Sequence, residues 1–199
     1  MTASASTAAE PAEPVLYVDD ARYARLWALW KEARSQDLMA GEDSQGEVTR
    51  LLYREARLLD DGRYDPWLAM FAPECIYWIP SRAEPADPRT ESGIYLDDRR
   101  RMTDRVAMIR TGHLHAQIPA SRTRRMLSNI ECWHAGAGGR VVARANLTLW
   151  EYRKGATKAW PGFQVYEIIR DLAGAPLIAT KIICLLERDA PQGNYAFML

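Results

Sequence analysis

Beyond about Thr123 the chain carries four strand-like runs, residues 126–130, 140–150, 160–170 and 176–186. Gly136-Ala-Gly-Gly139, Arg153-Lys-Gly155 and Leu172-Ala-Gly174 separate them. Apolar, β-branched and aromatic runs joined by short glycine turns pair with their neighbours in sequence, so this half folds as a meander of long antiparallel strands. Such a sheet needs cover, and the preceding residues supply helices. Residues 20–35 set Tyr23, Leu26, Trp27, Trp30 and Ala33 at helical spacing behind Asp19 or Asp20 as cap. Residues 47–60 place Val48, Leu51, Leu52, Ala56 and Leu59 on one face and stop at Asp61-Gly62. A short helix follows over 65–71 with Pro66 in its first turn, and another over 97–111 with a Met102, Val106, Ile109 stripe. Between those two, Cys75-Ile-Tyr-Trp-Ile79, closed by Pro80, reads as a strand and 81–90 as a loop, while 112–122 reads as irregular. Helices first and a meander afterwards is an α+β plan: helices packed on one face of a curved antiparallel sheet, which folds into a cone with a pocket at its mouth.

At 199 residues the chain has room for one domain and an extension. Residues 1–18 read as a flexible tail, 19–46 as an extra helix with a polar linker (Met39 to Gly46), and 47–199 as the main domain. The Ala/Ser/Thr/Glu/Pro start has neither the basic end and apolar centre of a secretory signal nor the arginines of a transit peptide. Lys plus Arg equal Asp plus Glu at 26 each, which argues against nucleic acid, whose binders show a basic excess. No apolar run reaches the roughly 20 residues of a membrane helix. Cys75, Cys132 and Cys184, odd in number and far apart, make no disulfide framework and point to a reducing cytoplasm. The neutral total hides an asymmetry. Residues 1–62 hold 12 acidic and 7 basic residues, whereas 97–125 hold eight arginines and three aspartates. That division suits either contact between subunits or two solvated faces of one domain.

Local chemistry names no catalytic set. His113-Leu-His115 has a spacing that a metal site uses on a strand, yet no carboxylate lies close to it in sequence, so polar, pocket and interface roles stay open. Asp60-Asp61 pairs two carboxylates at a helix end, a site for acid/base work or simply a polar terminus. Cys132-Trp-His134 has the spacing of half a Rieske cluster signature, but Leu185-Leu-Glu187 follows Cys184 where the second half needs a histidine. Cys132 is therefore expected as a buried strand thiol. Tyr53, Tyr64, Trp67, Tyr77 and Trp78 suit either a pocket wall or the core. There is no Gly-x-Ser-x-Gly and no Gly-x-Gly-x-x-Gly between strand and helix.

Leu51-Leu-Tyr-Arg-Glu-Ala-Arg-Leu-Leu-Asp-Asp-Gly-Arg-Tyr-Asp-Pro-Trp-Leu68, with Tyr77-Trp-Ile-Pro80 after it, resembles the opening of the small (beta) subunit of bacterial aromatic-ring-hydroxylating (Rieske non-haem iron) dioxygenases. A second block matches in the same order: Tyr95-Leu-Asp-Asp98, Arg105-Val106, Arg110-Thr-Gly112, Pro119-Ala-Ser-Arg-Thr-Arg-Arg125 and Ser128-Asn129. The likeness spans residues 47–188. It implies an NTF2-like/cystatin-like cone with no cofactor of its own. It also implies assembly with a large (alpha) subunit that holds the Rieske [2Fe-2S] cluster and a mononuclear Fe(II), as a three-plus-three hexamer fed by a reductase or ferredoxin. Glu55, Arg57, Asp60, Arg122, Arg124 and Asn129 carry over as structural or contact positions. The expected subunit interface comprises Arg122, Arg124, Arg125, Asn129, His113 and His115. Strand alternation turns Arg122 and Arg124 to one face and Arg125 to the other. The rival reading is a lone cone enzyme of the dehydratase or isomerase kind, pairing His113 or His115 with Asp60 as acid and base. A third is a scaffold with no enzyme partner. The helix over 20–35 exceeds the family's usual short start.

Overall fold

In a computed structural model, which describes residues 18–35, 42–82, 84–112, 118–135, 139–190 and 197–199, six strands form one sheet in the order β2-β1-β6-β5-β4-β3. Their bounds are β1 Phe71–Ile79, β2 Tyr95–Asp98, β3 Arg122–His134, β4 Val141–Arg153, β5 Ala156–Arg170 and β6 Pro176–Leu185. Period-two burial marks the first half of β3 and most of β4, whereas β1 from Cys75 and β6 from Ile178 are buried on both faces. The helices are α1 Asp20–Ser35, α2 Glu42–Asp60, α3 Tyr64–Leu68 and α4 Arg99–Arg110. β3 to β6 form the expected antiparallel meander, and β1 joins it by pairing parallel to β6.

The two sheet faces carry separate cores. On the inner face Val141, Ala143, Ala145, Leu147 and Leu149 of β4 point one way, beneath Val48, Leu52 and Leu59 of α2, Trp67 of α3, and Met102 and Val106 of α4. α1 lies on the other face, where Leu26, Leu29, Trp30 and Ala33 bury against Ile76, Trp78, Val142, Val165 and Ile182. The Trp30 ring meets Trp78 edge-on at 6.2 Å and stacks on Phe163 at 6.0 Å. Arg25 and Arg140 both pair with Glu167, and Arg140 also reaches Glu32 of α1, so charge ties the helix down as well. Residues 20–35 are therefore helical as expected, with Leu29 rather than Trp27 fully in the seam.

Several boundaries move, each because tertiary contacts outweigh local propensity. α2 begins at Glu42, inside the expected linker, and absorbs Gly46. An interior glycine costs about 1 kcal/mol relative to alanine. Here Ser44 Oγ lies 2.8 Å from His134 Nε2, and Gln45 donates to the Ile130 carbonyl at 2.5 Å, fixing that first stretch to β3. Phe71 leaves the third helix for β1, whose ladder with β6 starts at Ile178. Asp97 pairs in β2 and Asp98 caps α4 by accepting from the Arg101 N–H at 2.9 Å, so that helix starts two residues late. β3 continues past Ile130 through a bulge, where Asn129 takes φ +49° and the register shifts between Ser128 and Glu131. Asn tolerates that left-handed geometry better than most residues. The bulge exchanges faces, so Cys132 reaches the inner core and Trp133 the α1 side. The expected tail 1–18 (beyond Val18), His113, His115 and most of the Gly136-Ala-Gly-Gly139 turn lie outside the described residues.

Among the described glycines Gly162 meets the closest neighbour: a Cβ there would stand 2.2 Å from the Cys184 carbonyl oxygen. Backbone cannot yield as a flexible side chain does. Gly162→Ala is expected to lose at least about 1–3 kcal/mol in urea denaturation. An unchanged midpoint would mean that β5 and β6 are not so closely apposed.

Candidate functional site

Inside the cone a buried ion pair joins two elements far apart in sequence. Glu55 sits on the apolar stripe of α2, one turn beyond Leu51 and Leu52. Lys181 points inward from β6 between Thr180 and Ile182. Lys181 Nζ donates to Glu55 Oε1 at 2.7 Å, with both side chains sealed from solvent. The same carboxylate accepts from Trp67 Nε1 at 3.1 Å and from Tyr166 Oη at 2.8 Å. Lys181 lies 5.6 Å from the ring centroids of both Tyr77 and Tyr166. Burial holds the Lys181 ammonium below the usual lysine range, and Glu55 opposes that shift. Burial, reinforced by Glu55, raises Tyr77 and Tyr166 well above the ordinary tyrosine value.

A cleft of about 700 Å³ opens at the mouth, between the end of α2, the start of β3 and the far end of β4. Asp60, the last residue of α2, accepts from Thr123 Oγ1 at 3.0 Å and from the Arg125 N–H at 2.8 Å, and pairs with the Arg125 guanidinium. These are structural donors, so Asp60 works as a clamp between helix and strand. Arg125 departs from the expected interface role for the same reason. Its side chain is 2% exposed, and its charge is matched within the chain by Asp60. Arg122 and Arg124 do turn to the opposite face, in register with Tyr152 and Trp150. Asn129 forms the bulge.

Among the described residues no three His, Cys, Asp or Glu side chains gather as a metal-binding group. Cys132 Sγ bonds to Gln45 Oε1 at 3.2 Å and His134 to Ser44, so the half-signature is committed to packing β3 against α2. Burial pushes the Cys75 thiol up to about 11 and Cys184 to about 12. Trp67, Tyr77 and Trp78 are core residues, whereas Tyr53 is exposed. The pairing of Glu55 with Lys181, and the seating of residues 197–199 beside them, went unread in the sequence. A charged residue at i+3/i+4 of an apolar stripe, and a lysine within Ile178-Ala-Thr-Lys-Ile-Ile-Cys-Leu185, are the signals that mark such a pair.

Removing one partner of a buried pair strands the other charge. Lys181→Met should therefore lose about 3–5 kcal/mol by chemical denaturation, and adding Glu55→Gln should recover much of that loss. Strictly additive effects would show that the two groups are not coupled. The tyrosines give a pH test. Their folded pKa values lie above the unfolded value near 10, so the stability they contribute is whole below pH 10 and falls as pH rises past it. Tyr77 and Tyr166 should develop tyrosinate absorbance only together with loss of far-UV ellipticity. Ionisation ahead of unfolding would contradict their burial.

The family model described as ring hydroxylating beta subunit matches residues 54–190. Over 167 residues the chain is 32% identical to the small oxygenase component of the p-cumate 2,3-dioxygenase system of Pseudomonas putida, covering 83% of this chain and 92% of that one. The solved beta subunit of the benzoate 1,2-dioxygenase of Burkholderia mallei superposes with a TM-score of 0.62 at 27% identity, over 77% of this chain and 96% of that one. An NTF2-like protein with a cystatin-like fold from Novosphingobium aromaticivorans matches at TM-score 0.52 and 16% identity, over 90% and 94% of the two chains, and so shares the fold. With the ordered motif blocks, the cone and a family match over most of its length, this chain belongs to the ring-hydroxylating beta subunits, the small subunits of ring-hydroxylating dioxygenases.

Proposed function

We propose that this chain is the assembly subunit of a cytoplasmic, multicomponent oxygenase that hydroxylates aromatic compounds for catabolism, and that it docks on its large subunit through the outer face of β3 and β4. The observation that carries this reading is an amphipathic patch: Met126, Trp150 and Tyr152 are 63%, 45% and 41% exposed, beside Arg122 and Arg124. Large apolar and aromatic side chains interleaved with arginine are the composition of an interface centre. Arg122 lies 4.6 Å above the Tyr152 ring, and Arg124, 73% exposed, has a distant 3.7 Å pairing with Asp61. Both guanidiniums thus keep donors for carboxylates on a partner. Asn129 at the bulge belongs to the same proposed contact, as do His113 and His115 in the segment between α4 and β3. In this reading the large subunit supplies the Rieske [2Fe-2S] cluster and the mononuclear Fe(II). Electrons reach it from a reductase or ferredoxin, and three copies of each subunit form a hexamer. Cys132 and His134, already bonded to α2, offer no second cysteine and histidine for a cluster here.

Arg124→Glu and Trp150→Ala should each leave the small chain folded by circular dichroism while weakening its association with the large subunit by about 30-fold or more. Sizing chromatography of the co-expressed pair reads this as loss of the full-size complex. A full-size, active complex from both variants would show the patch to be solvated surface. The chain purified alone is expected to carry no stoichiometric iron and to turn over no aromatic substrate. Turnover by the lone chain would instead favour the stand-alone cone enzyme.

A further inference from the structure

The cone contains a segment that belongs to none of its helices or strands. Residues 197–199 are buried in the inner core, and the Phe197 ring meets Trp160 edge-on at 6.1 Å. The Leu199 carbonyl oxygen accepts from Tyr77 Oη and, at 3.4 Å, from Lys181 Nζ. The Met198 carbonyl accepts from the Arg125 guanidinium. Three amino acids are thus held as a ligand is held: apolar groups against an apolar wall, oxygens on convergent buried donors. Lys181 and Arg125 are each already matched by a carboxylate, Glu55 and Asp60, so what they present inward is hydrogen-bonding capacity for an acceptor.

Two further observations support a site rather than a sealed core. Phe197 and Met198 also line the 700 Å³ cleft at the mouth, so this segment reaches from that cleft to the Tyr77 and Lys181 donors that hold Leu199. Arg125 Nε and Gln164 Nε2 are buried with no hydrogen-bond partner among the described residues. Unsatisfied buried donors are uncommon in a core packed for stability alone.

We propose that the interior of the cone is a binding site for a small apolar acyl compound, an aromatic or aliphatic body ending in a carbonyl or carboxylate oxygen, and that residues 197–199 are its resident ligand. The ring of such a compound takes the place of Phe197 against Trp160, and its oxygen takes the donors that now hold Leu199. The site opens through the cleft whose rim includes Arg122, Arg124, Trp150 and Tyr152 of the β3 and β4 patch, while its donors Tyr77 and Lys181 lie in the core, so probe binding and subunit association are read on separate variants.

The test uses 3-phenylpropionate and 3-phenylpropanamide as probes, with the amide reporting whether the site needs a charged oxygen. Calorimetric titration should find no binding to the unaltered chain at millimolar probe. Binding of at least one probe should appear in the full-length Phe197→Gly/Leu199→Gly variant, whose segment has lost its apolar anchors, and in a chain ended after residue 196. Adding Tyr77→Phe should then weaken it about tenfold, one hydrogen bond's worth. Equal binding to altered and unaltered chains, no binding to a folded variant, or indifference to Tyr77→Phe would each overturn the proposal. If the shortened chain does not fold alone, millimolar acetyl-Phe-Met-Leu must restore its ellipticity, and failure to do so overturns it too.

Discussion

The bond between Glu55 and Lys181 is the constraint around which the rest of the cone is arranged. Two charges out of water are costly, and the cost is tolerable only when every remaining hydrogen-bonding position is met. That demand brings Trp67 of α3 and Tyr166 of β5 onto the same carboxylate, and Leu199 onto the same ammonium. Four elements and one terminal segment are thus held at mutual distances set to within a hydrogen bond. An apolar replacement packs with far less positional demand. The pair therefore specifies how α2 lies across the sheet, and the surrounding leucines supply the bulk of the driving force.

From that seating the mouth follows. α2 ends at Asp60, which clamps the Arg125 backbone and side chain and so fixes the start of β3. With Arg125 drawn inward, strand alternation turns Arg122, Arg124 and Met126 outward, opposite Tyr152, Trp150 and Thr148. The bulge at Asn129 then reverses parity, and the far end of β3 delivers Trp133 to α1 and Cys132 to α2. One strand serves two purposes: half is an outward patch, half is structural, and the change occurs at a residue able to take positive φ.

The α+β plan was legible because it rests on periodicity, which burial enforces directly. Leu26, Trp30 and Ala33 at helical spacing do bury, and Ala143 to Leu149 alternate as a half-buried strand must. What was illegible depends on contacts between residues distant in sequence. Nothing near Gly46 announces that Ser44 and Gln45 meet His134 and Ile130 and so extend α2. β2 is four residues long and exists through its pairing with β1, so its last two residues, Asp97 and Asp98, read as the start of α4. The parity of Arg122, Arg124 and Arg125 was readable, but which face lay inside required knowing where Asp60 comes to rest.

The same point governs the charge asymmetry. Eight arginines and three aspartates over residues 97–125 suggest a strongly basic surface. The fold withdraws several of those arginines from that role. Arg99 donates to the carbonyls of Leu68 and Phe71, Arg105 pairs with buried Asp97 beneath Tyr95, Arg110 with Asp65, and Arg125 with Asp60. A guanidinium with five donors in a fixed fork is suited to joining loops and helix ends in this way, and half of the eight arginines join α3, α4, the end of α2 and the sheet. Arg122 and Arg124 are left facing outward on β3 beside exposed aromatics. Contacts made by those two guanidiniums act at short range, through paired hydrogen bonds and ring stacking. At physiological ionic strength the field of exposed charges is screened over about 8 Å.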